Sequence, residues 1–543
     1  MSIFQRKSLQ VLLGEVKESG DHSLKKTLGP VKLIILGLGA VIGAGLFSVT
    51  GMAAGLYAGP AITVSFIIAA AGCCFAGLCY AEFASMLPVA GSAYTYSYVT
   101  LGEFIAWVIG WDLVLEYAVG ALTISISFSV YCVKFLEELG IHLPHAFTAC
   151  PMDGGIVNVP SALIIVFVSL LLMSGTEKSS KVNIFLVVLK IAIVLIFVSI
   201  GWQFINSDNY VPYIPENTGT WGSFGFSGII RGAAVVFFAF IGFDAISTAA
   251  QETKNPKRDM PIGILGALIV CTILFVLFSH VLTGVANYTE FQGSTNIAPV
   301  AIAIEKMGPA LPDGTIQPAY PWLNKAITMG IIAGYFSIIL VTLLAQSRIF
   351  YAMSRDGLLP NIFSQVHKKF RTPYKSNLFF LVIVSILAMF VPARVAGELT
   401  SIGTLFAFII VCVGILIMRK MMPNAPRAFK TPWVPVIPIL GVGTCLFMMV
   451  FLPFDTWIRL IVWMLVGHDI YTFYGSRHSK LGANRSTKIL PGIGICIAVL
   501  LAVFIVAHQI QIGWEENLAF GVTFLGIALG HVVLYVVRLL RKC

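Results

Sequence analysis

The sequence predicts an all-α integral membrane protein with fourteen transmembrane spans. Of its 543 residues, 58% are hydrophobic and 11% are charged, and its mean hydropathy is +0.90, whereas a soluble domain carries roughly 25% charged residues. A water-soluble globule of this composition would expose large apolar patches, so a lipid bilayer is the solvent that suits the chain. Apolar stretches of spanning length begin near residues 31, 61, 104, 159, 182, 225, 262, 326, 376, 400, 433, 456, 489 and 517.

The basic residues predict which connections face the cytoplasm. Cytoplasmic loops of membrane proteins are rich in lysine and arginine, and 28 of the 35 basic residues fall in alternate connections between the spans. Both termini are therefore expected on the cytoplasmic side of a plasma membrane or bacterial inner membrane. No nucleic-acid partner is expected, because no basic patch accompanies a soluble module. The predicted cytoplasmic segments are 1–32, 176–181, 251–261, 348–375, 419–430, 477–488 and 538–543.

The ten cysteines indicate neither a disulfide framework nor a metal site. Eight of them fall in or beside apolar segments, where cysteine behaves as a small hydrophobic residue, and their spacing is not that of metal ligands. No metal and no cofactor are therefore expected. Residues 1–30 are polar and charged, so the first apolar stretch is expected to act as an uncleaved anchor.

Two predicted spans contain glycines that interrupt an otherwise apolar helix. The first reads Gly37-Leu-Gly-Ala-Val-Ile-Gly-Ala-Gly-Leu-Phe47, and the sixth reads Phe237-Phe-Ala-Phe-Ile-Gly-Phe-Asp244. Glycine weakens a helix by about 1 kcal/mol relative to alanine, so both segments are prone to unwind. The same glycines would also let helices pack closely, as small residues often do in membranes. Either segment alone leaves both explanations open.

The relative placement of the two interruptions favours a binding site. Unwound backbone is tolerated in the membrane where it lines a cavity. There, freed amides at a half-helix N-terminus attract an anion and freed carbonyls attract a cation, so a zwitterion such as an amino acid finds a partner for each charge. Spans one and six lie five spans apart and run in opposite directions. Interruptions at matching positions of two inverted halves indicate the site of a transporter.

Lys190 is a basic residue placed deep inside the fifth predicted span. It follows the eight residues Val182 to Leu189 into the span, near the middle of the bilayer, where an ammonium group costs roughly 2.5–3.5 kcal/mol or more. Three roles stay open for it: a proton carrier, a donor that holds unwound backbone, or a partner in a structural salt bridge.

Three acidic residues are also predicted within the membrane. Asp112 and Glu116 lie four residues apart, hence on one face of the third span. Glu116 is about halfway along that span and is expected to face the site, whereas Asp112 is expected to pair structurally. Asp244 follows the interruption of the sixth span, and two roles are open for it: capping the second half-helix or contacting a substrate amine through water.

Other classes of membrane protein fit the sequence less well. A membrane-embedded enzyme needs a catalytic cluster, which the scattered histidines and cysteines do not supply, so no enzymatic activity is expected. A channel needs a repeated polar face or a filter, and the sequence has neither. A nutrient sensor on a transporter scaffold would share the sequence pattern and stays an alternative.

Several blocks resemble the amino acid–polyamine–organocation superfamily and, within it, the cationic amino-acid transporter family. The segment Gly37–Phe47 resembles the superfamily's first-helix signature, and the resemblance extends over roughly residues 25–475. The blocks similar to the cationic amino-acid transporter family are Cys79-Tyr-Ala-Glu-Phe83, Pro88-Val-Ala-Gly-Ser-Ala-Tyr-Thr-Tyr96, Gly110-Trp-Asp-Leu-Val-Leu-Glu-Tyr117, Phe237–Asp244, Glu252–Ile262 and Arg348–Pro360.

This resemblance implies a LeuT-type core of ten helices in two inverted five-helix repeats, with four additional helices. The last two helices are expected at the periphery. The implied divisions are a cytoplasmic N-terminal segment at 1–30, the first repeat at 31–204, the second at 225–419, helices 11–12 at 433–475, helices 13–14 at 489–537 and a cytoplasmic tail at 538–543.

The resemblance also implies the residues of an amino-acid site. The substrate carboxylate would meet backbone amides around Ala44 and Gly45, after Gly43, and Phe238 matches an aromatic residue that closes the occupied site. Lys190 matches a lysine that couples proton movement to the unwound first helix, which makes protons the expected coupling ion. Carbonyls for the substrate amine would come from near Ile42, Phe238, Ala239 and Ile241, and acidic family positions are matched by Glu116 and Asp244.

Ile339 of the eighth span falls where side-chain size sets selectivity in the resembled family. A small residue there admits arginine or lysine, and a bulky residue favours small neutral amino acids. The expected function is therefore proton-coupled symport of small neutral amino acids by alternating access. A uniporter or exchanger of cationic amino acids stays an alternative, because one lysine does not establish a coupling gradient.

Overall fold

The computed structural model is helical throughout the part of the chain that it describes. Those residues form no β-strand, and an isolated parallel bridge joins Leu28 to Thr253. The prediction of an all-α protein is therefore confirmed. The described residues are 5–8, 28–43, 45–87, 89, 91–292, 299–309, 316–317, 319–370, 372–452, 454–481, 489–512 and 518–540.

A helix begins near each predicted span start. The shorter helical segments are Gly45–Val49, Thr50–Ala53, Ala54–Ala58, Ser92–Thr100, Ala245–Thr248, Pro299–Glu305 and Ser476–His478. The principal helices are α1 (Pro30–Val41), α2 (Ile62–Met86), α3 (Glu103–Glu138), α4 (Val159–Met173), α5 (Thr176–Gly201), α6 (Gly225–Val236), α7 (Pro256–Val285), α8 (Pro321–Arg355), α9 (Tyr374–Phe390), α10 (Ala393–Met421), α11 (Val436–Val450), α12 (Phe454–Ile470), α13 (Ile489–Ile512) and α14 (Leu518–Leu540).

Length and composition allow many of these helices to cross a membrane. Among the described residues, 9 helices pass that test, or 10 if α11 and α12, which are bent by 114° at their junction, count as one span. Three shorter apolar helices, α1, α4 and α9, accompany them. The structure thus supports a multi-pass membrane protein, while the full count of fourteen crossings and the inverted-repeat arrangement stay predictions.

Proline marks the start of several helices. Pro30, Pro256 and Pro321 each occupy the first turn of their helix, where the missing N–H would have no helical partner and the fixed φ suits the helix. At the start of α4 the cap is a side chain instead: Asn158 accepts a hydrogen bond from the Ser161 amide. These local signals explain why the observed helix starts lie near the starts predicted from the sequence.

The helices pack around one extensive apolar core. α2 and α7 lie along each other, and α1 packs against α7. α3 lies along α8, which also contacts α5. The interrupted segments of the first and sixth predicted spans are enclosed by these helices, because nearly all of their residues are buried. The packing therefore places both interruptions inside the protein and away from lipid.

One face of the molecule, here called the terminal face, carries the described N-terminal residues. The Lys7 ammonium lies 2.7 Å from the Asp356 carboxylate at the end of α8. The Leu28 amide donates to the Glu252 carbonyl at 3.0 Å. α1 therefore starts at the terminal face, and α8 ends there.

The opposite face, here called the distal face, is joined by backbone hydrogen bonds between loops. The Phe224 amide donates to the Tyr57 carbonyl at 2.9 Å, and the Asn158 amide donates to the Met389 carbonyl at 3.1 Å. The chain thus runs from the terminal face at Leu28 to the distal face at Tyr57. The first interruption lies between these two points.

The last two helices pack on the outside of α12. α13 and α14 lie along each other, and α13 contacts α12. A separate small apolar cluster joins the three helices. His531 lies 2.9 Å from Asp469, and His508 lies 2.5 Å from Asp455, so one histidine–aspartate pair fastens each of the two helices to α12.

Candidate functional site

The first helix interruption lies between α1 and the helical turn that follows it. α1 ends at Val41, and the next turn begins at Gly45. Between them, Ile42 is extended, with φ −74° and ψ 109°, and the Gly43 carbonyl accepts hydrogen bonds of 3.0 Å from two amides of the next turn. Ala44, whose amide was expected to meet a substrate carboxylate, lies outside the described residues. The predicted interruption is observed, confined to the end of the glycine-rich run.

The second interruption follows α6. The helix tightens into a 3₁₀ turn, Phe237–Phe240, and then opens at Ile241, which has φ −59° and ψ 136°. Gly242 has φ +108°, a conformation that glycine adopts without a steric penalty. Helical structure resumes at Ala245. Both segments singled out by their glycines are thus interrupted helices.

The two interruptions touch each other. A Cβ built on Gly45 would lie 2.5 Å from the Ala239 Cβ and 2.8 Å from the Ala239 nitrogen. A Cβ built on Gly242 would lie 3.0 Å from the Ala40 Cβ. Since these distances are shorter than van der Waals contact, side chains at either glycine would force the two segments apart. The glycines therefore bring freed backbone groups from both segments into one buried place.

Lys190 is bound to the backbone of the first interruption. Its Nζ donates to the Gly39 carbonyl at 2.7 Å and to the Ile42 carbonyl at 2.8 Å. α1 ends at Val41, between these two carbonyls, so they lack some of the amides that a continuing helix would offer. The side chain is fully buried. Of the three roles that the sequence left open, the observed contacts are those of a donor that holds unwound backbone.

The Lys190 contact also changes what is expected of Ile42. Its carbonyl was expected to receive a substrate amine, and in this structure it receives the Lys190 ammonium. A carbonyl oxygen has two lone pairs, so one acceptor position remains. The second interruption also offers carbonyls, although that of Phe238 already accepts from the Ile241 amide at 3.3 Å.

Asp244 is held by a tyrosine. The Tyr117 hydroxyl of α3 donates a short hydrogen bond to its carboxylate, whereas the Asp244 side chain makes no capping hydrogen bond to the turn Ala245–Thr248. Of the two roles left open for Asp244, capping the second half-helix is therefore not the one that this structure shows. Its backbone, with φ −68° and ψ −25°, is already helical, while a capping residue has extended geometry.

Glu116 and Asp244 lie side by side, and Asp112 does not join them. Glu116 belongs to a π-helical turn in α3, a distortion frequent at functional sites, and its carboxyl adjoins that of Asp244 and the Thr404 hydroxyl. Both Asp112 carboxyl oxygens are buried without a hydrogen-bond partner among the described residues. The expected structural partner of Asp112 is thus not observed among the described residues; Gly403 of α10, where a Cβ would lie 3.3 Å from the Asp112 Oδ1, has no side chain to donate.

The wall opposite the first interruption is formed by α8. Ile338 packs against Gly43, where a Cβ would lie 3.2 Å from the Ile338 Cγ1. Ile339, the expected size-setting residue, is the next residue along and is fully buried. Phe238 is half-buried in the 3₁₀ turn of the second interruption. Bulky apolar side chains therefore surround the polar backbone groups of the site.

Three polar residues of the site were not found from the sequence: Tyr117, Asn183 and Ser337. The Ser337 hydroxyl reaches the Asn183 Oδ1 at 2.8 Å and the Gly39 carbonyl at 3.2 Å. Asn183 precedes Lys190 by seven residues and hence lies on the same face of α5, a spacing that could have revealed it. The serine and the tyrosine carried no such signal, because these residues are common in apolar helices.

Two interrupted helices that meet in a buried centre, with a lysine bound to carbonyls of the first, are an arrangement typical of membrane transporters. Residues 28–468 match the family described as Amino acid permease, and the chain belongs to that family. It is therefore an amino-acid permease, and a transporter rather than an enzyme.

Similar proteins include bacterial and plant transporters. The branched-chain amino acid permease BcaP of Bacillus subtilis (strain 168) is 43% identical over 484 residues, which cover 88% of this chain and 99% of the relative. The methylthioribose transporter of the same organism is 39% identical over 482 residues, with 88% and 99% covered. The vacuolar cationic amino acid transporter 4 of Arabidopsis thaliana is 37% identical over 413 residues, with 75% and 66% covered.

Proposed function

We propose that this permease carries small neutral amino acids by proton-coupled symport with alternating access. The observation that carries the proposal is the contact between the two interruptions at Gly45 and Ala239, beside carbonyls held by Lys190. Such a place offers an amino acid partners for both of its charged ends.

The substrate pose follows from the polarity of the freed backbone. The carboxylate is assigned to the amides around Ala44 and Gly45, because an N-terminal helical turn attracts an anion. The amine is assigned to carbonyls of Phe238, Ala239 and Ile241, in a segment where the helix opens. Phe238 closes over the bound molecule, and Glu116 and Asp244 supply negative charge near the amine.

Proton coupling is assigned to Lys190. Its ammonium donates to two carbonyls of the first interruption, and loss of the proton would weaken both bonds, since hydrogen bonds from a charged donor are the stronger kind. The end of α1 would then be free to move. A change of protonation at one lysine is thus linked to the movement that opens the site.

The preference for neutral side chains rests on the apolar wall. Ile338 and Ile339 of α8 are both buried, and a positively charged side chain placed against them would lose hydration without a partner. One relative is named for branched-chain amino acids and another for methylthioribose. The plant relative named for cationic amino acids supports the alternative, a uniporter or exchanger of arginine and lysine.

The proposal includes the topology expected from the sequence. Helices α1–α5 and α6–α10 would form the two inverted repeats, at residues 31–204 and 225–419, and both termini would face the cytoplasm. The terminal face would then be the cytoplasmic face. A transporter-like nutrient sensor would share this topology and would differ in carrying no flux.

Counterflow in proteoliposomes tests the function. Vesicles loaded with unlabelled alanine, leucine, arginine or methylthioribose would be diluted into the labelled form of the same compound. We expect exchange of alanine and leucine well above that of arginine. Arginine exchange as fast as alanine exchange would favour the cationic alternative, and no exchange of any amino acid would favour the sensor.

A further inference from the structure

Three hydroxyl groups meet one helical turn beyond the first interruption. The Ser48 Oγ lies 3.1 Å from the Tyr335 hydroxyl and 3.4 Å from the Tyr131 hydroxyl. Ser48 belongs to the turn Gly45–Val49, which lies on the distal side of the interruption. Tyr131 comes from α3 and Tyr335 from α8. This hydroxyl triad joins the distal half of the first broken helix to two other helices.

The two tyrosines form a fixed surface for the serine. Their rings pack edge to face, with centroids 5.5 Å apart and planes at 77°, and both side chains are buried. They sit on α3 and α8, which lie along each other. Ser48 is half-buried, so it is the most accessible member of the triad.

Tyr335 reaches across the interruption itself. A Cβ built on Gly43 would lie 3.9 Å from the Tyr335 Cδ1, so the ring lies beside the extended backbone. The hydroxyl of the same residue meets Ser48. One side chain of α8 therefore contacts the broken helix on both sides of the place assigned to the substrate carboxylate.

The two halves of the broken helix are held by different chemistry. The half nearer the terminal face is held through its carbonyls by the Lys190 ammonium. The distal half is held by neutral hydroxyls at 3.1 and 3.4 Å. Neutral hydrogen bonds are about half as strong as those of charged donors. The distal attachment is thus the easier one to break and remake.

We propose that Ser48, Tyr131 and Tyr335 form the contact that closes the distal side of the substrate site. The contact breaks when the distal half of the first broken helix moves away from α3 and α8, and it reforms once the site is occupied. The proposal rests on the proposed alternating access. The three are positioning residues, since they act by holding the turn that carries the substrate-binding amides.

The test compares Ser48→Ala, Ser48→Thr and Tyr335→Phe in alanine counterflow. Without the closing contact, the occluded state is less populated and the open state more so. We expect the maximal exchange rate to fall roughly fivefold in Tyr335→Phe, the effect of losing one hydrogen bond, and at least as much in Ser48→Ala, which loses both contacts of Ser48. The KM should stay within twofold or fall, because more of the protein is ready to bind. Ser48→Thr keeps the hydroxyl and should restore the rate.

Two further variants sharpen the result. Tyr351→Phe makes the same change on the same helix outside the site, where the Arg355 guanidinium lies over the ring, and should exchange like the wild type. The double variant Ser48→Ala/Tyr335→Phe should be no slower than Ser48→Ala, because Ser48→Ala alone already removes the contact with Tyr335.

Several outcomes would overturn the proposal. Ser48→Ala exchanging as fast as Ser48→Thr would show that the hydroxyl is not used. A raised KM with an unchanged maximal rate would make Ser48 a substrate contact instead. These results would leave amino-acid transport intact, whereas failure of the wild-type protein to exchange any amino acid would contradict the proposed function itself.

Discussion

Gly45 and Ala239 lie so close together that the position of Gly45 has no room for a side chain. A Cβ on Gly45 would sit 2.5 Å from the Ala239 Cβ. The two residues come from interrupted helices that are 194 positions apart in the sequence. Their contact brings the backbone of the two interruptions together in one buried place.

Gly45→Ala is expected to reduce alanine counterflow at least tenfold. The added methyl group would push the two interruptions apart, and overpacking of this kind typically costs about 1–3 kcal/mol. Gly492→Ala is the matched control, because a Cβ there meets nothing within 4 Å, and it should exchange within about twofold of the wild type. Equal exchange by the two variants would contradict the assigned location of the site.

Lys190→Met is expected to abolish accumulation driven by a pH gradient while leaving some exchange. Methionine has a similar length but donates no hydrogen bond, so the carbonyls of Gly39 and Ile42 lose their shared donor. Lys325→Met, an exposed lysine on α8, is the control. The measurement is uptake of labelled alanine into vesicles that are alkaline inside, and undiminished accumulation by Lys190→Met would refute the coupling role.

Ile339→Ala is expected to raise the ratio of arginine to alanine exchange by at least about tenfold, since a change of even one methylene group in an apolar pocket has an effect of that size. Ile338→Ala provides the comparison, because Ile338 packs directly against Gly43. Counterflow with labelled arginine and labelled alanine shows which of the two isoleucines sets the selectivity. A changed ratio in Ile338→Ala alone would assign selectivity to the neighbouring residue.

Glu82→Gln is expected to lower the free energy of unfolding of the protein, because it breaks a buried cluster of ion pairs. Glu82 is fully buried and pairs with Arg419 at 2.8 Å and Arg427 at 3.0 Å, and removing one partner of a buried ion pair typically costs about 3–5 kcal/mol. The control is Glu290→Gln, whose pair with Lys306 is about one-third exposed and should contribute about 0–1 kcal/mol. Thermal unfolding in detergent should show a clearly larger drop in Tm for Glu82→Gln, and equal drops would contradict this account.

The interrupted helices were predictable from the sequence because their cause is local. Glycines within an apolar run lower the cost of leaving the helix, and the two runs at Gly37–Phe47 and Phe237–Asp244 both contain an interruption. Lys190 was predictable for a similar reason, since a lysine deep in a span needs hydrogen-bond partners. The sequence alone did not show which groups Lys190 would bind, and three roles stayed open for it.

The contacts between distant helices were not predictable in the same way. Tyr117 holds Asp244, a residue 127 positions later, and Ser48 meets Tyr335, a residue 287 positions later. Nothing local to these residues specifies such pairs, because tyrosine and serine are also accommodated in apolar helices without a distant partner. The sequence left two roles open for Asp244 for the same reason, because its partner Tyr117 lies on a distant helix.

A structure of the full chain in lipid nanodiscs with a saturating small neutral amino acid tests the central claim most directly. The account predicts the ligand between the two interruptions, with its carboxylate at the amides around Ala44 and Gly45 and its amine at the carbonyls from Phe238 to Ile241. Lys190 should lie beside it without contacting it. A ligand bound elsewhere, or in the reverse orientation, would contradict the site proposed for this permease.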